Sequence, residues 1–196
     1  MKFSVISCSA SEGSVSRVGA AAACASLQAL GHQAEVLDVR SIPAFRVTSD
    51  KMNDAPHELR DMAQRVGAAD GVVICYPIYC YTASASAKAL TELLGPQLEE
   101  KPVATIVAAG SLRSHLATGD LMLSMMYEQS TFCFPKSVLL TSDDLVEDRV
   151  VAEASGRLDD LCEGFSRFTD CLAHFNLPRA EGARASTPIS AIAAAS

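Results

Sequence analysis

Short apolar runs alternate with longer amphipathic stretches along most of the chain. Apolar runs bounded by turn residues are typical of buried strands, and apolar residues three or four apart are typical of helices. The predicted strands cover residues 2–7, 34–39, 71–76, 102–108 and 134–140. The predicted helices cover residues 14–31, 56–68, 84–95, 114–129 and 147–175, with a long loop over residues 40–55. This alternation predicts an α/β fold with a parallel sheet.

The order of the elements predicts the topology of that sheet. Five strands alternating with helices fit a three-layer, flavodoxin-like fold with a five-stranded parallel sheet of order 2-1-3-4-5. The run at 71–76, GVVICY, is apolar throughout, as in a central strand buried on both faces. In such sheets a ligand binds beyond the carboxyl ends of the strands, between strands one and three. We therefore expect the site in three loops: residues 8–16, 77–83 and 109–116.

Composition and charge exclude several classes of function. The 196-residue chain is 49% hydrophobic and 20% charged, with a formal net charge of −7, which is typical of a globular domain. Basic clusters are missing, so we expect no nucleic-acid binding. The seven cysteines form no CxxC pair and no histidine has metal-ligand spacing, so we expect neither disulfides nor a metal site.

The two ends of the chain carry further information. The apolar run at the N-terminus is too short for a signal peptide, and no run reaches the length of a membrane-spanning helix. We therefore expect a cytoplasmic protein without membrane contact. Residues 179–196 are small and polar with no periodicity, which predicts a flexible tail after a single domain over residues 1–178.

Serine hydroxyls gather in the first loop (residues 8–16), between a strand and the start of a helix. Short hydroxyls and the free N–H groups of a helix N-terminus are donors that bind phosphate. Arg17, in the first helical turn, opposes the helix dipole and so indicates a nearby anion. The alternative is that Ser14 only caps the helix. The candidate phosphate-binding serines are Ser9, Ser11, Ser14 and Ser16.

Aromatic residues mark the second loop (77–83), and a glycine marks the third (109–116). Rigid aromatic rings beside a proline suit the wall of a planar ligand, although a core or interface role is the alternative. In the third loop, Gly110 allows close backbone approach, Ser111 supplies a hydroxyl and His115 is placed to point at a ring carbonyl. A surface histidine is the alternative there. The predicted ring wall consists of Pro77, Ile78, Tyr79, Cys80, Tyr81 and Thr82.

Four segments together resemble the NAD(P)H-dependent FMN reductase family over about residues 1–175. They are VISCSASEGSVSR, LDVRSIPAF, ADGVVICYPIYCYTASASAKALTELL and EEKPVATIVAAGSLRSH. The resemblance implies an oxidoreductase with FMN and NAD(P)H as cofactors, in which the flavin carries the chemistry and no side chain is catalytic. It implies that the phosphate lies against the first-loop serines, the isoalloxazine against residues 77–82, and the pyrimidine edge against Gly110 and Ser111.

The same resemblance implies a homodimer or homotetramer, with the flavin partly closed by the neighbouring subunit. It also implies a flavin-dependent monooxygenase as the recipient of reduced flavin. The stripe of Met122, Met125 and Met126 then belongs either to the core or to a subunit interface.

The first loop also departs from the family pattern, which leaves three functions open. The family usually has glycine at Cys8, Pro-Arg at Ala10-Ser11 and glycine at Ala109. Loss of the arginine weakens the attraction for phosphate by about 1–3 kcal/mol, and Arg17 can compensate. The three functions are a reductase that releases reduced FMN, a flavoenzyme that acts on one metabolite, and a flavodoxin-like binding protein without catalysis.

Overall fold

A parallel sheet forms the centre of the computed structural model, which describes residues 1–43 and 55–174. Its parallel strands lie in the order β2-β1-β3-β5-β6, and β4 pairs antiparallel with the end of β3. The predicted order 2-1-3-4-5 is confirmed, since β4 is a two-residue addition. The predicted tail and most of the predicted loop over 40–55 lie outside the described residues. The strands are β1 (Lys2–Ser7), β2 (Gln33–Asp38), β3 (Gly71–Tyr79), β4 (Thr82–Ala83), β5 (Pro102–Ala108) and β6 (Phe132–Leu140).

Helices cover both faces of this sheet and complete three layers. Successive residues of a strand point to opposite faces, so Val73 and Cys75 pack on one side while Ile74 and Tyr76 pack on the other. The first side is covered by α1 and α6, and the second by α2, α3, α4 and α5. The helices are α1 (Val15–Ala29), α2 (His57–Ala68), α3 (Ala85–Leu93), α4 (Gly95–Leu98), α5 (Gly119–Glu128) and α6 (Ala152–His174).

Small side chains let α1 lie very close to the sheet. A Cβ added at Gly19 would lie 2.7 Å from the Leu140 Cδ1 atom, and Ala20 and Ala23 are completely buried. The alanine-rich sequence of α1 therefore reflects its packing as much as its helix propensity. This packing fixes the N-terminus of α1 at the carboxyl edge of the sheet.

Two predicted helix boundaries are wrong. The predicted helix over 114–129 is a 3₁₀ segment, Leu112–Thr118, followed by α5. The predicted helix from residue 147 starts only at Ala152, because β7 (Leu145–Val146) and β8 (Arg149–Val150) form a hairpin there. Apolar spacing alone does not distinguish such short strands from a helical turn. None of the helices within residues 1–43 and 55–174 is long and apolar enough to cross a membrane.

Candidate functional site

The carboxyl ends of β1, β3 and β5 bring the three predicted loops to one edge of the sheet. Ser7 lies opposite Cys75, and Pro77 lies opposite Ala108. The Cys8 N–H donates to the Cys75 carbonyl at 2.8 Å, so the pairing continues past the end of β1. The three loops therefore begin side by side, as the topology predicts.

The first loop keeps its donors at the start of α1. Ser9, Ser14 and Ser16 are buried and Ser11 is exposed. Ser14 occupies the N-cap position, but within the described residues its side chain makes no capping hydrogen bond. Its hydroxyl instead lies 2.9 Å from that of Ser16. The Ser14 side chain therefore does not cap the N–H groups of the first helical turn, although the Arg17 N–H donates to the Ser14 carbonyl at 3.1 Å.

Open space adjoins these donors. A Cβ added at Gly13 would meet no described atom within 4 Å, and Glu12 is exposed. Arg17 donates from Nη2 to the Glu12 carbonyl at 2.7 Å, and its buried Nε has no hydrogen-bond partner among the described residues. The position beside Gly13 is therefore open, and the exposed Glu12 side chain does not fill the turn.

The charges near the first loop almost cancel. The Arg40 guanidinium lies 2.6 Å from Asp38, at the end of β2. A hydrogen bond to Asp38 raises the pKa of Arg40, and burial lowers that pKa. The negative charges of Asp38 and Glu12 raise it further. Because Asp38 pairs with Arg40 and its charge also acts on Arg17, the positive charge near this loop is largely offset, and hydroxyl and amide groups are its remaining donors.

Asp38 makes the protein's stability depend on pH. Burial raises its pKa, but hydrogen bonds from Arg40 and the charges of Arg40 and Arg17 outweigh this, so the pKa lies below its ordinary value of 3.8. The stabilisation is therefore complete above the ordinary pKa and is lost as the pH falls through the lowered one. We expect Asp38→Asn to lower the melting temperature by about 1–4 °C at neutral pH.

Calorimetry between about pH 6 and pH 3 would check this, with the difference from wild type shrinking as the pH falls. The control is Asp160→Asn on the exposed face of α6. A deficit for Asp38→Asn that stays constant over this range would contradict the assignment.

The second loop is a tight hairpin rather than an open loop. Tyr79 pairs with Thr82, and the two residues between them, Cys80 and Tyr81, have φ angles of 52° and 62°. Pro77 and Ile78 continue β3 into the core, whereas the side chains from 79 to 82 are exposed. Tyr79 and Tyr81 are 55% and 65% exposed, which leaves their rings accessible rather than packed in the core.

The third loop presents open backbone above β5. A Cβ added at Gly110 would meet no described atom within 4 Å. Ser111 is exposed and precedes the 3₁₀ segment. The Tyr76 hydroxyl, on β3, donates to the Thr118 carbonyl at 3.3 Å and so joins this segment to the sheet. His115 is exposed and its Nδ1 lies 3.2 Å from the Leu112 carbonyl of its own turn. The role of His115 at a ring carbonyl stays a prediction.

Sequence reasoning missed two residues that connect the loops to the rest of the fold. The Ser86 hydroxyl donates to the Cys8 carbonyl, which joins α3 to the first loop. Asp120 accepts hydrogen bonds from the Thr82 hydroxyl and from the Ala83 N–H, the latter at 3.4 Å. The predicted helix over 114–129 placed Asp120 in mid-helix. In the structure α5 begins at Gly119, which places Asp120 in its first turn.

The arrangement of donors and rings fits a flavin mononucleotide. The serine-rich turn and Arg17 lie at a helix N-terminus, exposed aromatic rings follow the central strand, and an open glycine follows β5. The fold defines a flavodoxin-like protein, a class whose ligand sites lie at this edge of the sheet. The sequence pattern of the family described as NADPH-dependent FMN reductase matches residues 1–144, and the chain belongs to that family.

Individual relatives agree with this membership. The chain is 27% identical over 154 residues to the NADH:(hydroxy)cinnamate reductase subunit CrdA of Vibrio ruber, covering 71% of this chain and 73% of that protein. The apo form of the NADH:FMN oxidoreductase EMOB superposes with a TM-score of 0.74 at 18% identity, covering 85% of this chain and 89% of EMOB.

The flavoenzyme FerB, an NAD(P)H:acceptor oxidoreductase from Paracoccus denitrificans, superposes with a TM-score of 0.71 at 16% identity. The match covers 87% of this chain and 97% of FerB. Likeness at this level of identity shows the flavodoxin-like fold. Family membership shows an NAD(P)H-dependent FMN oxidoreductase, with FMN and NAD(P)H as cofactors, so the predicted enzyme class and cofactors are confirmed.

Proposed function

We propose that this chain transfers hydride from NAD(P)H to FMN and releases the reduced flavin to a flavin-dependent monooxygenase. The observation that best supports release is the electrostatics of the first loop, where Asp38 pairs with Arg40 and its charge also acts on Arg17. A site that binds phosphate through hydroxyls and amides, with little excess positive charge, favours an exchangeable flavin over a permanently bound one.

In this proposal each loop binds one part of FMN. Hydroxyls of the first loop and N–H groups of the first turn of α1 donate to the phosphate, and Arg17 supplies positive charge. Tyr79 and Tyr81 pack against the isoalloxazine, next to the backbone of residues 77–78, while Gly110 and Ser111 approach its pyrimidine edge. When bound, FMN supplies the atom that accepts hydride from the nicotinamide. We assign no side chain as an acid, base or nucleophile.

The purified wild-type chain tests the proposal directly. We expect oxidation of NADH or NADPH to follow Michaelis–Menten kinetics in added free FMN, and the absorbance spectrum to show that the flavin exchanges. Absence of oxidation at saturating FMN would favour a binding protein without catalysis. Tightly held flavin that turns over only with one organic acceptor would favour a metabolite-specific flavoenzyme.

The tyrosines of the second loop provide a prediction for the ring wall. Because both rings are exposed, Tyr79→Ala and Tyr81→Ala remove flavin contacts with little effect on the core. We expect each to weaken flavin binding by about 1–2 kcal/mol, measured by quenching of flavin fluorescence. The matched variants Tyr79→Phe and Tyr81→Phe keep the rings and should retain the affinity. Unchanged titrations for both alanine variants would refute the assignment.

A metabolite-specific flavoenzyme is the second candidate. The observation in its favour is the similarity to CrdA, which is named as a subunit of an NADH:(hydroxy)cinnamate reductase. Addition of cinnamate or a hydroxycinnamate to the chain with NADH and FMN tests it. If the acid accelerates NADH oxidation and the absorbance of the acid itself falls, this candidate is supported over flavin release.

We also propose that the chain is a homodimer or homotetramer that uses α5 and the 3₁₀ segment before it. The methionine stripe is divided between two environments, since Met125 is fully buried and Met126 is 47% exposed. Light scattering on the wild-type chain tests this, and a monomer at micromolar concentration would contradict it. Other exposed apolar residues of α5 and this 3₁₀ segment are Leu112, Leu116, Leu123 and Tyr127.

We place the protein in the cytoplasm, where its seven free thiols stay reduced.

A further inference from the structure

The hairpin that carries the exposed tyrosines is joined to α5 by one carboxylate. We propose that Asp120 is a positioning residue that holds residues 79–82 in the shape that receives the flavin ring. This inference rests on the proposed function, because it assigns to Asp120 a role in the same site. Its basis is the contacts of Asp120, the backbone of the hairpin and the exposure of the two tyrosines.

Asp120 bridges two elements that are distant in sequence. One carboxylate oxygen accepts hydrogen bonds from the Thr82 hydroxyl and the Ala83 N–H. The other accepts from the Leu121 N–H at 2.7 Å, within the first turn of α5. Hydrogen bonds to a charged acceptor are stronger than those between neutral groups. The carboxylate therefore fixes β4 relative to α5.

The hairpin itself is short. Within the described residues β4 pairs with β3 at two positions, Ile78 with Ala83 and Tyr79 with Thr82, and the Ser84 N–H extends this pairing to the Pro77 carbonyl. Its two central residues, Cys80 and Tyr81, have positive φ angles. In tight hairpins, residues with this conformation are usually glycine or asparagine. A two-stranded hairpin of this length is marginal without tertiary support. The sequence of the turn therefore does not by itself stabilise this conformation.

The position of the backbone decides where the rings lie. Tyr79 and Tyr81 are each more than half exposed, so packing does not fix either ring. A hairpin that is held in one conformation before binding loses less conformational freedom when the flavin binds. Removing the carboxylate should therefore weaken flavin binding although Asp120 is not assigned a contact with the flavin.

Two variants separate this role from a general effect on α5. Asp120→Ala removes both contacts, whereas Thr82→Val removes only the hydroxyl on the hairpin side and leaves the hydrogen bond to Leu121 intact. We expect each to weaken FMN binding about threefold to tenfold, with the double variant no weaker than Asp120→Ala alone. Asp120→Asn keeps an acceptor and should recover part of the affinity. The control is Glu92→Ala, which removes an exposed ion pair with Lys88 on the neighbouring α3.

Amide hydrogen exchange on the flavin-free protein provides the second readout. We expect the N–H of Ser84, which donates to the Pro77 carbonyl at 3.0 Å across the hairpin, to exchange about tenfold faster in Asp120→Ala and Thr82→Val. The amides of β1 should be unchanged. Unchanged exchange at Ser84, or faster exchange with unaltered FMN affinity, would overturn the positioning role. Absence of FMN binding by the wild type would overturn the proposed function, and the exchange data alone would then decide whether Asp120 holds the hairpin.

Discussion

Ser14→Asp should weaken FMN binding by at least a factor of about 100 while the protein stays folded. Ser14 is the N-cap residue of α1, and aspartate is as good an N-cap as serine. A carboxylate at this position also interacts favourably with the helix dipole. The same charge repels the flavin phosphate at short range, by about 3–4 kcal/mol in a partly desolvated site.

Riboflavin is the matched ligand control for this variant, because it has the ring system of FMN without the phosphate. Fluorescence titrations with both flavins should show a large loss for FMN and an unchanged affinity for riboflavin. Ser14→Ala, which removes the hydroxyl without adding charge, should weaken FMN binding about tenfold. Equal losses for the two flavins would indicate a damaged fold, and an unchanged FMN affinity would place the phosphate elsewhere.

Phe165→Ala should lower the free energy of unfolding by about 3–5 kcal/mol. Phe165 is completely buried in α6, with its ring centroid 5.7 Å from that of Phe3 and 6.0 Å from that of Phe134. The backbone of Gly71 approaches this ring so closely that an added Cβ would lie 3.1 Å from it. Tight packing on all sides leaves the cavity little room to collapse, which places the loss near the upper end of the range.

Urea unfolding of Phe165→Ala and of the control Phe168→Ala would check this prediction. Phe168 is half-buried and has its ring centroid 5.5 Å from that of Phe134, so its loss should cost only about 1–2 kcal/mol. Phe165 lies near the starts of β1 and β3, at the opposite end of the sheet from the site. The folded fraction of the variant should therefore retain its FMN affinity. Equal losses of stability for the two variants would contradict the packing argument.

The five parallel strands could be predicted to within three residues at each end because each contains a short apolar run, whereas the two-residue strands β4, β7 and β8 were missed. The predicted strands at 2–7 and 102–108 have the bounds of β1 and β5. These strands are buried on both faces, so local composition alone identifies them. The starts of α5 and α6 could not be predicted, because they depend on distant contacts. Arg157, for example, reaches back to Asp144 and to the Leu139 carbonyl beside the β7–β8 hairpin.

Local sequence pattern and the rules of parallel sheets are enough to predict the α/β class, the strand order, the family and the meeting of the three loops at one edge of the sheet. The packed structure was needed to show that the second loop is a tight hairpin with positive φ angles, that Tyr79 and Tyr81 are exposed, and that Asp120 contacts Thr82. These features arise where α5 meets β4, and the contacting residues Ala83 and Asp120 are 37 positions apart in the sequence. Such contacts leave no periodic signal in the chain, since they form only when the helices pack against the sheet.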